Sequence, residues 1–165
     1  MSVTRQEFRD AMARLGAAVN VITTAGPAGR AGFTASAVCS VTDDPPTLLV
    51  CMNRNSSSAP VLKANGVLCV NTLSARQREV STVFAGVTKC SLEERFAAGS
   101  WSELATGAPV LEGAVVAFDC RVADMVEKGT HTVIFADVLA IRHGSRGGAG
   151  LIYFGRDYHP VGAGA

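Results

Sequence analysis

The sequence lacks any apolar run long enough to cross a bilayer; the longest, around Leu48 to Met52, reads as one buried strand. It lacks strong charge of either sign. With a formal net charge of +1 it has no basic stripe of the kind a nucleic-acid binder carries. A signal-peptide pattern is missing too, because Met1-Ser2-Val3-Thr4-Arg5-Gln6-Glu7 is polar and turns helical at once, so the cytoplasm is the default expectation. Cys39, Cys51, Cys69, Cys90 and Cys120 form neither an even set nor a C-x-x-C pair, which argues against a disulfide framework or a zinc site. Cys39, Cys69 and Cys120 sit among Val, Ala and Leu and read as small core residues.

Familiar catalytic motifs are absent as well. No G-x-G-x-x-G follows a strand, no loop ends in G-K-[ST], and there is no G-x-S-x-G elbow. Gly147-Gly148-Ala149-Gly150 precedes a strand rather than a helix, and His131, His143 and His159 lack metal-ligand spacing.

What is present is enough chain for one domain, residues 1–165, with 48% hydrophobic residues to fill its core. Thr4 and Glu7 form a capping box, and Phe8, Met12 and Leu15 follow at helical spacing until Gly16. Val19 to Thr24 is β-branched and strand-like, and Phe33 to Thr42 alternates small and polar residues in the manner of one half-packed strand. Asp43-Asp44-Pro45-Pro46 turns the chain into a strand over Thr47 to Met52. The loop Asn53-Arg54-Asn55-Ser56-Ser57-Ser58 then leads to a short helix near Pro60 to Asn65, with Ser58 as its N-cap. Val67 to Leu73, Ala114 to Met125, Thr132 to Arg142 and Leu151 to Phe154 complete the strands, with short helices near 75–83 and 92–97. Six or seven strands with few short helices favour an antiparallel barrel over a doubly wound sheet. Composition and spacing by themselves stop at a soluble β-rich domain with polar loops able to take an anion.

Val19 to Thr24, Gly32 to Val41, Pro45 to Asn53, Cys69 to Ser74, Phe84-Ala85-Gly86, Gly129-Thr130-His131 and Tyr153 to His159 form an ordered set of segments. That set resembles the short-chain flavin reductase family, the reductase components of two-component flavin monooxygenases. Together the segments span nearly the whole chain in order. The resemblance implies a mainly β fold, a Greek-key split β-barrel of the FMN-binding type that forms a homodimer. It also implies a flavin groove near the subunit interface and a nicotinamide bound without a Rossmann domain. The implied activity is hydride transfer from NADH to a reversibly bound flavin, FAD first and FMN second, for a partner flavin-dependent monooxygenase. No nucleic acid or membrane partner is implied. NADH stands before NADPH because no basic cluster offers itself to a 2′-phosphate.

The resemblance also assigns residues. Thr34, Ala35, Ser36 and Ala37 match the flavin-contacting strand, although the same residues also suit an ordinary small-residue strand. Cys51 and Met52 border the ring by position. Asn53, Ser56, Ser57 and Ser58 read either as a phosphate seat or as a solvated capping loop, and Arg54 could add charge there. Phe84, Ala85 and Gly86 set an aromatic and a flexible backbone beside the flavin, or plug a helix end. Gly129-Thr130-His131 matches a Gly-Asp-His signature with Thr for Asp, putting His131 at the nicotinamide. Tyr158 and His159 line the nicotinamide side or the dimer contact. Two other roles fit the same barrel: a non-catalytic flavin carrier, and a flavin-prosthetic reductase of ferric or corrin substrates.

Overall fold

Thr4 starts the first helix in the way the sequence predicts. Its hydroxyl accepts from the Glu7 amide at 3.2 Å, and the Glu7 carboxylate accepts from the Thr4 amide at 2.8 Å. That helix, α1 (Arg5–Met12), nevertheless buries none of its residues, and Phe8, Met12 and Leu15 stand exposed. The computed structural model describes residues 2–162.

The chain continues through β1 (Ala17–Ala18), β2 (Asn20–Thr24), β3 (Ala31–Ala35), β4 (Val38–Asp43) and β5 (Pro46–Asn53). Helix α2 (Ala59–Asn65) and strand β6 (Val67–Thr72) come next, then a 3₁₀ turn at Ala75–Gln77, α3 (Arg78–Phe84) and a second 3₁₀ turn at Glu94–Ala98. Two short strands, β7 (Trp101–Ser102) and β8 (Val110–Leu111), precede the long hairpin β9 (Val116–Lys128) and β10 (His131–His143). The last two strands are β11 (Gly150–Phe154) and β12 (Asp157–Val161).

Seven strands form one antiparallel sheet in the order β3-β2-β6-β9-β10-β5-β4. Its two edges, β3 and β4, are consecutive in the chain, with only Ser36 and Ala37 between them. A flat sheet would hold those edges about 29 Å apart at the usual strand spacing. Three Cα–Cα steps reach at most about 11 Å. The sheet must therefore curl until its edges meet, and the fold is a mainly β, antiparallel barrel split at that meeting point. The sequence reads residues 33–42 as one strand; the structure breaks it at Ser36-Ala37, where the chain leaves β2 and crosses to β5.

Two main cores follow from this curl, beside a smaller cluster of Cys69, Ala108, Val110 and Ala117. Ile22, Val50, Met52, Leu68, Val70 and Ile134 fill the barrel, while Val21, Leu73, Val80, Phe84, Phe96 and Leu151 pack between its outer wall and α3. Strand β2 is buried along its whole length because it faces both cores. Cys69 and Cys120 lie fully buried, as their surroundings in the sequence imply, but Cys39 does not. It projects from edge strand β4, whose outer face nothing in the described chain covers. Strand β12 has no counterpart in the sequence reading, since Pro160 and the polar residues around it hide it. Among the described residues, no helix is long and apolar enough to cross a membrane.

Candidate active site

Strand alternation decides which residues face outward at the barrel's seam. Successive side chains on β5 point to opposite faces, so Leu48, Val50 and Met52 enter the core while Leu49, Cys51 and Asn53 turn out. The β5–β10 register sets Asn53 opposite His131 and Cys51 opposite Val133. His131 begins β10 directly after the two-residue turn Gly129-Thr130, where Gly129 takes φ +56°. Its Nδ1 lies 2.9 Å from the Thr130 hydroxyl.

A groove of about 490 Å³ opens at this seam. One wall is Phe33, Thr34, Ala35, Ser36 and Ala37, running off β3 into the bend. Cys51, Asn53 and His131 form the side toward β5 and β10, and Asn55, Ser56 and Ser57 close one end. Phe84, Ala85 and Arg95 back it from the α3 side. Small side chains along the bend are what keep this space open.

Hydrogen bonds fix the wall. The Thr34 hydroxyl donates to the Ser81 carbonyl at 2.6 Å, and the Ser81 hydroxyl sits 2.8 Å from the Tyr158 phenol oxygen. Gly32 is required for close packing: a Cβ there would come within 2.6 Å of the Phe84 ring and 2.8 Å of the Ile22 carbonyl. The Cys51 thiol is pushed up by burial and by the neighbouring Cys39.

The groove gathers Thr34, Ala35, Ser36, Ala37, Cys51, Asn53, Ser56, Ser57, Phe84, Ala85 and His131 from the residues singled out in the sequence. Met52 lies instead in the barrel core, one residue out of phase with Cys51. Ser58 makes no cap hydrogen bond; it is buried, and its hydroxyl donates to the Gly32 carbonyl at 2.8 Å. Gly86, at φ +81°, stands behind Arg95 rather than in the wall. Tyr158 packs edge-on against Tyr153, and the exposed His159 approaches the Phe154 carbonyl at 3.0 Å, so neither lines the groove. Arg54 is turned away to Glu127 at 3.0 Å, a carboxylate it shares with Lys63.

Phe33, Asn55 and Arg95 also line the groove, although the sequence assigns them no role. Asn55 belongs to the serine loop, and Phe33 adjoins Thr34 on β3. Arg95 carries no local signal, since its surroundings read only as the short helix near 92–97.

With that geometry in place, comparison with known proteins is decisive. A family model described as the flavin reductase like domain matches residues 12–162. The chain belongs to the flavin reductase family. It is an oxidoreductase, and its relatives extend along almost its whole length. The NADH-dependent FMN reductase RutF of Ancylobacter novellus is 61% identical over 160 residues, covering 97% of this chain and 87% of that protein. A Haemophilus somnus 129pt structure solved as a candidate flavin reductase superposes with a TM-score of 0.91 at 46% identity, covering 96% of this chain and 100% of the other. The styrene monooxygenase flavin reductase of Pseudomonas putida S12 gives a TM-score of 0.80 at 26% identity, covering 96% and 99%.

Proposed function

We propose that this flavin reductase transfers hydride from NADH to free FMN and releases the reduced flavin to a separate flavin-dependent monooxygenase. The observation that carries the reading is the seam groove, with a small-residue wall from Thr34 to Ala37 on one side and His131 across from it. When bound there, the flavin supplies the electron-accepting ring and the nicotinamide supplies the hydride.

The chain's own residues hold, orient and shield. Ala35, Ser36 and Ala37 leave room for a flat ring to approach the backbone. Thr34 has its proton committed to Ser81, which leaves its oxygen as an acceptor for a ligand N–H. A Thr130 hydroxyl that donates to Nδ1 of His131 leaves the neutral ring's proton on Nε2, suited to a carboxamide oxygen. Phe84 and the second core behind it keep water from that side. Two rings stacked with reacting atoms about 3–3.5 Å apart need no protein nucleophile.

FMN stands before FAD, the opposite of the order that the resemblance implies, because the RutF relative at 61% identity is named an FMN reductase. The monooxygenase partner is supported by the styrene monooxygenase neighbour. A homodimer is supported by the exposed Phe8, Met12 and Leu15 together with Val41, Leu139 and Ile141 on the outer faces of β4 and β10. Exposed apolar groups in that number call for cover.

The deciding assay mixes purified protein with NADH and either FMN or FAD and follows nicotinamide absorbance. Turnover that depends on added flavin, faster with FMN, is expected. Flavin that copurifies tightly while nicotinamide stays unoxidised would instead mark a non-catalytic carrier.

A further inference from the structure

Arg95 is 9% exposed, yet no carboxylate lies within salt-bridge distance of it among the described residues. Its Nη1 donates to the Gly32 carbonyl at 2.8 Å and to the Phe84 carbonyl at 3.4 Å, which fixes the guanidinium in place. Its Nε is buried with no partner, and Nη2, beside Gly86, carries no hydrogen bond among the described residues. A buried charge without a counter-charge is strongly disfavoured unless something else neutralises it. It lines the seam groove.

The Gly32 carbonyl ties Arg95 to the serine loop. That single oxygen accepts from Arg95 Nη1 and from the Ser58 hydroxyl, each at 2.8 Å. Arg95 and Ser58, the residue that follows Ser56 and Ser57, are therefore held by the same atom. The arginine expected from the sequence to supply charge there, Arg54, is engaged by Glu127 instead. A planar, permanently charged fork with an unpaired Nη2, lining the same groove as Ser56 and Ser57, suits the oxygens of a phosphate.

Resting on the reading of the groove as a flavin site, we propose that Arg95 is the residue that neutralises the flavin's phosphate, and so sets the preference for phosphorylated flavin over riboflavin. The guanidinium is a binding residue, not a catalytic one; it fixes the tail so that the ring lies along Thr34 to Ala37.

Because Arg95 also holds two backbone carbonyls, the test must separate charge from structure. Flavin fluorescence quenching gives dissociation constants of FMN and riboflavin for the wild-type protein, Arg95→Met and Arg95→Lys. The wild type is expected to favour FMN, and Arg95→Met to cut the FMN-to-riboflavin ratio by about 10- to 100-fold, the scale of one charged hydrogen-bonded contact. Riboflavin affinity should hold within about twofold, and Arg95→Lys should keep part of the ratio. Inorganic phosphate should compete with FMN but not with riboflavin on the wild type. A ratio unchanged in the variants, or both affinities falling together, overturns the proposal. If Arg95→Met does not fold, the Arg95→Lys ratio decides alone: lowered supports it, unchanged overturns it. A wild type that binds both flavins equally defeats the Arg95 role while leaving the groove as a flavin site; one that binds neither defeats both.

Discussion

The Cys51 amide donates to the Ala37 carbonyl at 3.0 Å, one rung beyond the last pair of the β4–β5 ladder. The seam is thus held to the sheet at the point where the ladder would otherwise end. Ala37 and Cys51 are brought side by side on the outer face, in the wall of the groove.

Filling that wall should weaken binding without harming the fold. Ala37 is exposed, so Ala37→Phe displaces nothing in either core. Stability measured by urea unfolding should stay within about 0.5 kcal/mol. Affinity for flavin should fall by tenfold or more, about 1.4 kcal/mol. Full binding by the variant would remove this wall from the site.

His131 lies on the opposite side and is exposed, so His131→Ala should leave the melting temperature unchanged. The KM for NADH is expected to rise several-fold, while the dissociation constant for flavin, measured without nicotinamide, stays the same. Thr130→Val, which removes the partner of Nδ1, should move NADH kinetics in the same direction by less. Unaltered nicotinamide kinetics in His131→Ala would take the ring out of the reaction.

The loop serines are tested by Ser56→Ala combined with Ser57→Ala. Both border the groove's end, and neither serves as the cap of α2. The double variant should weaken FMN binding more than riboflavin binding, in line with a phosphate at that end. Equal loss for both flavins would point to a disturbed loop.

Thiol labelling reports the burial pattern. Burial pushes the Cys120 thiol up to about 12 and the Cys69 thiol up further, so both remain un-ionised at any ordinary labelling pH. Neither should react with an alkylating reagent at pH 8 until the protein is unfolded. Cys51 is also shifted up but borders the groove, so it should label slowly, and bound flavin should slow it further. Mass spectrometry of the native protein with and without flavin reads both effects. Fast labelling of Cys69 would contradict the barrel packing.

Most strands were legible because their side chains alternate or are β-branched, as in Val19 to Thr24 and Thr47 to Met52. Breaks were less so. Nothing in Gly32 to Val41 marks Ser36-Ala37 as the seam, because the bend is imposed by pairing first with β2 and then with β5, partners far away in sequence. The same limit applied to the site. Ser56, Ser57 and His131 lie in turns that the sequence announces, whereas Arg95 is brought to the groove by a carbonyl 63 residues away. Met52 differs from Cys51 by a single residue of phase, which in a strand is enough to turn it to the core face.

Phe84 joins fold and site, and its truncation separates them. The ring is 1% exposed and packs against Phe96 and Trp101 with centroids 5.3 and 5.5 Å away. It also lies against Gly32, whose missing Cβ makes room for it. Phe84→Ala should cost about 3–5 kcal/mol, since a large ring is lost from a core that can close only in part. Phe84→Leu keeps much of the volume and should cost less. The Phe84 carbonyl accepts from Arg95, so a collapsing α3 end would shift the guanidinium as well. Flavin affinity should therefore fall together with stability across Leu and Ala, as read by fluorescence quenching and urea unfolding on the same samples. Affinity that held while stability dropped by several kcal/mol would mean that the second core carries the fold but not the groove.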